Sequence, residues 1–190
     1  MILRQLAVCM LACSVIAACS PQTPSAQPSE TDLVAVDPTA EAEILSWSDL
    51  LPDQDLEALE ALSEGRADPS LMSMLGQQSE VEGQIGTFNV VEDLDGLVVR
   101  MPGYILPLDF AENSSAREFL LLPYHGACVH TPPPPPNQIV YLRSPELIQF
   151  NSLWEPVWVE GRMELERVDT DLAATAYSMV VRSVEPYQTR

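Results

Sequence analysis

The residues best suited to chemistry lie in one stretch, 119–142, which reads FLLLPYHGACVHTPPPPPNQIVYL. It holds both histidines of the chain, His125 and His130, together with Cys128. On an extended backbone Cys128 and His130 project to one face, about 6.5–7 Å apart at Cα. A thiolate and an imidazole converging from there can bind zinc, with bonds of about 2.3 Å to sulfur and about 2.0–2.1 Å to nitrogen. His125 precedes Gly126-Ala127, where the chain can turn back, and is the third candidate ligand. The expected metal site is therefore Cys128, His130 and His125, with zinc as the expected ion. Further ligands would have to come from acids such as Asp109 or Glu112, or from another subunit, because zinc takes four ligands or three plus water. The same Cys-His pair can instead form a thiolate–imidazolium couple. In a third reading Cys128 is a small buried apolar residue and His130 bonds a backbone carbonyl. Residue types and spacing leave all three open.

Catalytic signatures are otherwise lacking. The chain contains no serine elbow, phosphate-binding loop, HExxH, EF-hand loop or dinucleotide fingerprint. No third group in the sequence orients the Cys-His pair, and no acids are paired by spacing as in a glycosidase. The expectation is a non-enzymatic protein, with Cys128 as nucleophile and His130 as base kept as the alternative.

The elements that must position these residues begin with a segment to be removed. Arg4 and the apolar run 6–16, too short to span a bilayer, read as a secretory signal peptide covering residues 1–18. Ile16-Ala17-Ala18-Cys19 resembles a lipobox, which makes Cys19 the lipidation site and the N-terminal lipid the membrane contact. Ser20 after it, by likeness to Gram-negative lipoproteins, points to the periplasmic side of the outer membrane. Cys9 and Cys13 leave with the signal peptide, so Cys128 becomes the one free thiol in an oxidising compartment. Residues 19–43, rich in Pro, Ser, Thr and acid, read as a disordered tether with a reach of roughly 25–30 Å.

The chain is acidic, with a formal charge of −19 and no lysine. That excludes the phosphate-neutralising footprint of a nucleic-acid binder and argues against docking on anionic headgroups.

Residues 44–190 read as one β-rich domain. Trp47, Leu50 and Leu51 form a small apolar cluster. A helix is expected from Asp53, with Leu56, Leu59 and Leu62 at helical spacing and Gly65 as its stop. Leu71, Met72, Met74 and Leu75 suggest a further helical turn, the methionines filling gaps rather than binding copper. Strands are expected over 97–108, 118–124, 138–143, 157–167 and 176–184. The alternation in 157–167 puts Val157, Val159, Gly161, Met163 and Leu165 on the buried face. Arg100 in the first strand needs a carboxylate or water. A small OB-like β-barrel with an N-terminal helical segment fits this pattern, with a β-sandwich as the alternative.

Pro132, Pro133, Pro134, Pro135 and Pro136 predict a polyproline II rod of about 15 Å, barred from a central strand because proline cannot donate to a ladder. The rod is expected to lock the Cys-His end of one strand against Asn137 and the next. Its alternative role is partner binding, with Asn137 and Gln138 included in the surface.

GYILPL at 103–108 and the stretch 119–141, densest at GACVHTPPPPPNQ, resemble the DUF3299 family of bacterial secreted proteins and lipoproteins. The resemblance covers most of residues 45–187 and carries no established activity. It implies an envelope protein, company with ABC transporters in settings linked to zinc uptake, and an apolar or aromatic residue where this chain has His125.

Overall fold

The computed structural model describes residues 36–66, 81, 83–109, 114–150 and 152–188. All of them belong to one compact unit, Thr31–Arg190. The expected signal peptide, Cys19, residues 19–35 of the tether and the methionine segment around Met72 and Met74 lie outside the described residues.

The fold is a closed five-stranded barrel of the OB type. Its strands are β2 (Val98–Pro107), β3 (Ser115–Leu122), β4 (Val140–Gln149), β5 (Val157–Glu164) and β8 (Tyr177–Pro186). Three short strands, β1 (Glu43–Ile44), β6 (Val168–Asp169) and β7 (Ala174–Thr175), and one helix, α1 (Asp53–Ser63), complete the described regular structure apart from short 3-10 turns. β2, β3 and β4 pair antiparallel in sequence; β4 then runs parallel to β8, and β8 antiparallel to β5. β5 returns antiparallel to β2, from Val98↔Arg162 to Gly103↔Val157, and closes the ring. Closure leaves no long free edge, which is how a small all-β domain avoids aggregation.

Alternation fills the barrel. β2 buries every second residue, with Val99, Met101 and Ile105 inside. Phe119, Leu121, Val140, Leu142, Val159, Met163, Tyr177 and Met179 meet them from the other strands. Gly161 is required where β5 crosses β8, because an added Cβ would lie 2.7 Å from Met179 Cγ. A second apolar cluster lies on the opposite faces of the strands, around Leu120, Leu122, Ile139 and Tyr141, with Ala127 and Ala173 over it. The long segments 123–139 and 165–176 therefore cover barrel surface that alternation alone would leave wet.

Beyond the strand bounds, where β3 begins at Ser115 rather than 118 and β4 runs on to Gln149 rather than 143, two details differ from the sequence reading. Within the expected tether, residues 36–43 are tied to the domain. Arg182 donates to the carbonyls of Asp37 and Ala40 at 2.8 and 2.9 Å, and β1 pairs with Val99 and Arg100. In α1 Leu56 and Leu59 do not pack inward: they are 39% and 48% exposed, while Asp55 is buried. Asp55 turns inward because three polar groups meet its carboxylate: the Thr87 hydroxyl, Asn89 Nδ2 at 2.8 Å and Asn137 Nδ2 at 2.7 Å. Arg100 finds Glu185 at 3.0 Å and lies over the Trp158 ring.

Candidate functional site

β3 ends at Leu122, before Pro123, and residues 123–139 cross to β4. The first part of this crossing is a coil. The N–H groups of Val129 and His130 both donate to the Gly126 carbonyl, at 3.4 and 3.0 Å. Gly126 has φ 83° and Cys128 φ 62°, so the backbone is left-handed at both. Left-handed φ is uncommon for a residue with a Cβ and marks a constrained turn. The extended geometry expected for Cys128 and His130 is thereby corrected. The Gly126 carbonyl captures the amides of Val129 and His130, and the two residues do not share the face of a strand.

Cys128, half-buried, packs against the second apolar cluster. Burial pushes its thiol up to about 11. A thiol so shifted is protonated at neutral pH, which works against nucleophilic attack.

The histidines are not members of that cluster, although Tyr104, Leu106, Leu122 and Ala127 of it line their cavity. Both are exposed, and both line one open cavity of about 210 Å³. Its walls include Tyr104 and Leu106 of β2, Leu122 of β3, Val129 of the coil, and Leu153 and Trp154 from the connection before β5. The His125 ring lies 4.6 Å from that of Trp154, tilted by 36°, and meets Tyr104 edge-on at 5.8 Å. Trp154 itself is 67% exposed. The cavity is thus an aromatic cleft whose polar side-chain groups are two imidazoles, a phenol and an indole N–H.

Among the described residues, no three His, Cys, Asp or Glu side chains converge as a ligand set. Asp109 is engaged elsewhere, accepting from the backbone N–H groups of Arg117 at 3.2 Å and Glu118 at 2.9 Å. Glu112 lies outside the described residues. The donors present fit a zinc ion only in part: two imidazoles on one cavity, with Cys128 held in an apolar surround.

The proline rod is packed inward. Pro134 and Pro136 are buried, and Pro135, with φ −50° and ψ 147°, is close to polyproline II. The Gln84 side chain donates to the carbonyls of Pro134 at 2.9 Å and Ala174 at 2.8 Å, and accepts from Ala174 N–H at 2.9 Å. Gly86 has φ 151°, and a Cβ there would stand 2.5 Å from Pro135 Cβ. Asn137 is 1% exposed, and Gln138 donates to the Trp47 carbonyl at 2.9 Å. Of the expected partner-binding set, Pro132 is exposed; Pro134, Pro136 and Asn137 are interior. The rod carries the chain from the cleft to β4 and holds the coil in place.

Sequence reasoning missed Tyr104, Leu153 and Trp154. The one available signal was a tryptophan within the polar connection 150–156, FNSLWEP, where burial in a strand would not explain it.

Topology and cleft together define a small OB-type barrel domain with an aromatic cavity at the coil that follows its second barrel strand. The chain belongs to the DUF3299 family, described as proteins of unknown function, whose profile matches residues 47–186. It is similar to the crystal structure of a DUF3299 family protein from Pseudomonas aeruginosa PAO1. The two share 38% identity with a TM-score of 0.59, over 80% of this chain and 99% of that one. No curated protein sequence matches the chain.

Proposed function

We propose that the protein is a non-enzymatic binding module of the cell envelope. In this reading Cys19 anchors it by lipid to the periplasmic side of the outer membrane, and the aromatic cleft is its working site. The observation that carries the reading is the exposed Trp154, its ring 4.6 Å from that of His125 and tilted against it, on the wall of an apolar cavity. Large apolar side chains gathered around a concave, half-open site mark recognition surfaces rather than packing. The raised thiol of Cys128 argues against its use as a nucleophile. The partner class is an ABC transport system or another envelope protein. A photo-crosslinking residue at Val129, 58% exposed, tests this against the same residue at Leu59, 48% exposed on α1. A defined envelope adduct is expected at position 129 alone and is lost in Trp154→Ala. Equal adducts at both positions, or none, would overturn the reading.

A second reading is favoured by one observation: His125 and His130 line the same cavity. Here the two imidazoles hold a divalent ion, zinc, with other ligands from solvent or partner. Zinc bound after gentle purification should then be lost in the His125→Ala/His130→Ala double variant and retained in Cys128→Ser. Equal zinc in all three proteins would sink it.

A further inference from the structure

We infer that the cleft binds a small aromatic carboxylate, its ring in the cavity and its anion at the two imidazoles. This rests on the cleft being the working site and names the ligand class it takes.

Size sets the first limit. A cavity of roughly 150 Å³ with apolar walls accepts benzene. At about 210 Å³ this one suits one ring or two fused rings, and is too small for most of a drug-sized ligand, which needs roughly 300 Å³ or more. The walls set the second. Tyr104, His125 and Trp154 gather three rings on one wall, His125 edge-on to Tyr104 and tilted against Trp154, within the range of about 4.5–7 Å for aromatic contact.

Polarity sets the third. The chain carries 28 acidic residues, yet none lies among the cavity walls. The polar side chains there are His125, His130, Tyr104 and Trp154, and each can donate a hydrogen bond. Glu155, next in sequence to Trp154, lines a different pocket with Gln149 and Glu185. An acid-free, donor-rich mouth on an apolar cavity matches a ligand that is flat at one end and an anionic acceptor at the other. The overall negative charge opposes this only at short range, because charges beyond about 8 Å are largely screened at physiological salt.

Isothermal titration of the folded protein with three probes tests the assignment: indole-3-acetate, indole as ring alone, and acetate as anion alone. Indole-3-acetate should bind about tenfold or more tighter than indole, as a hydrogen-bonded charge requires, and acetate should show no saturable binding. Trp154→Ala, at an exposed position that leaves the barrel intact, should weaken indole and indole-3-acetate alike by about tenfold. The double variant H125Q/H130Q should bring indole-3-acetate down to the level of indole. If indole and indole-3-acetate bind wild type equally, the carboxylate assignment is overturned while the cleft remains a binding site. If neither binds at about 1 mM, the ligand class falls, while the cleft reading stands or falls by the crosslink at position 129.

Discussion

Replacing Asp55 with alanine tests whether one buried carboxylate organises the end of the barrel on which the proline rod closes. Asp55 is 8% exposed and receives hydrogen bonds from Thr87, Asn89 and Asn137. Each bond to a charged acceptor contributes about 1.5–3 kcal/mol, and a buried donor left unpaired costs about 1–3 kcal/mol. The full sum is not reached. Asn137 Nδ2 keeps the Asn89 carbonyl at 3.1 Å and the Thr87 hydroxyl oxygen at 3.3 Å, and that hydroxyl is free to rotate. A net loss of about 3–5 kcal/mol follows, a large share of the roughly 5–15 kcal/mol that stabilises a typical domain. Asp55→Asn keeps one acceptor oxygen but turns an amide toward the Asn89 and Asn137 amides, and should lose about 2–3 kcal/mol. Urea denaturation followed by circular dichroism reads both, as a lowered midpoint with an unchanged slope. A loss below about 1 kcal/mol in Asp55→Ala would refute the reasoning and reduce the network to a packing coincidence.

Three further outcomes follow from burial and close packing elsewhere in the barrel. Cys128 is raised to about 11 by burial, and Tyr141 and Tyr177 are raised by burial as well. Above their ordinary values the unfolded chain releases these protons while the folded protein keeps them. Stability should therefore be flat at neutral pH and fall as pH rises from about 9 toward 11, which urea midpoints measure, and less steeply in Cys128→Ala. At pH 8 the same shift makes alkylation by iodoacetamide about 100-fold slower than for a free thiol; an equal rate would contradict the burial. Gly86→Ala forces a Cβ against Pro135 and a left-handed φ on alanine, and should cost about 2 kcal/mol or more by urea denaturation.

Much of the barrel was legible before folding. The alternation over 157–167 placed Val159, Gly161 and Met163 on the buried face, and β5 buries those residues. The proline run was excluded from the sheet by its missing N–H groups, and it is a crossing between β3 and β4. These features follow from local rules: the two-residue period of a strand and the donors a residue does or does not carry. The site was legible only as an address. Both histidines and the cysteine were located, but their mutual geometry was not, because one carbonyl, that of Gly126, takes the N–H groups of Val129 and His130 and coils the chain. Asp55 shows the same limit. Its place in a helix was evident, yet it took Thr87, Asn89 and Asn137, 32 to 82 residues away, to turn that carboxylate inward and leave Leu56 and Leu59 in water. The sequence by itself determined the strands, the helix and the rigid crossing, since each depends on neighbours in the chain. Only the tertiary structure decided that Trp154 meets His125 across a cleft while Cys128 turns into the apolar cluster, since those contacts depend on how the closed barrel brings distant connections together.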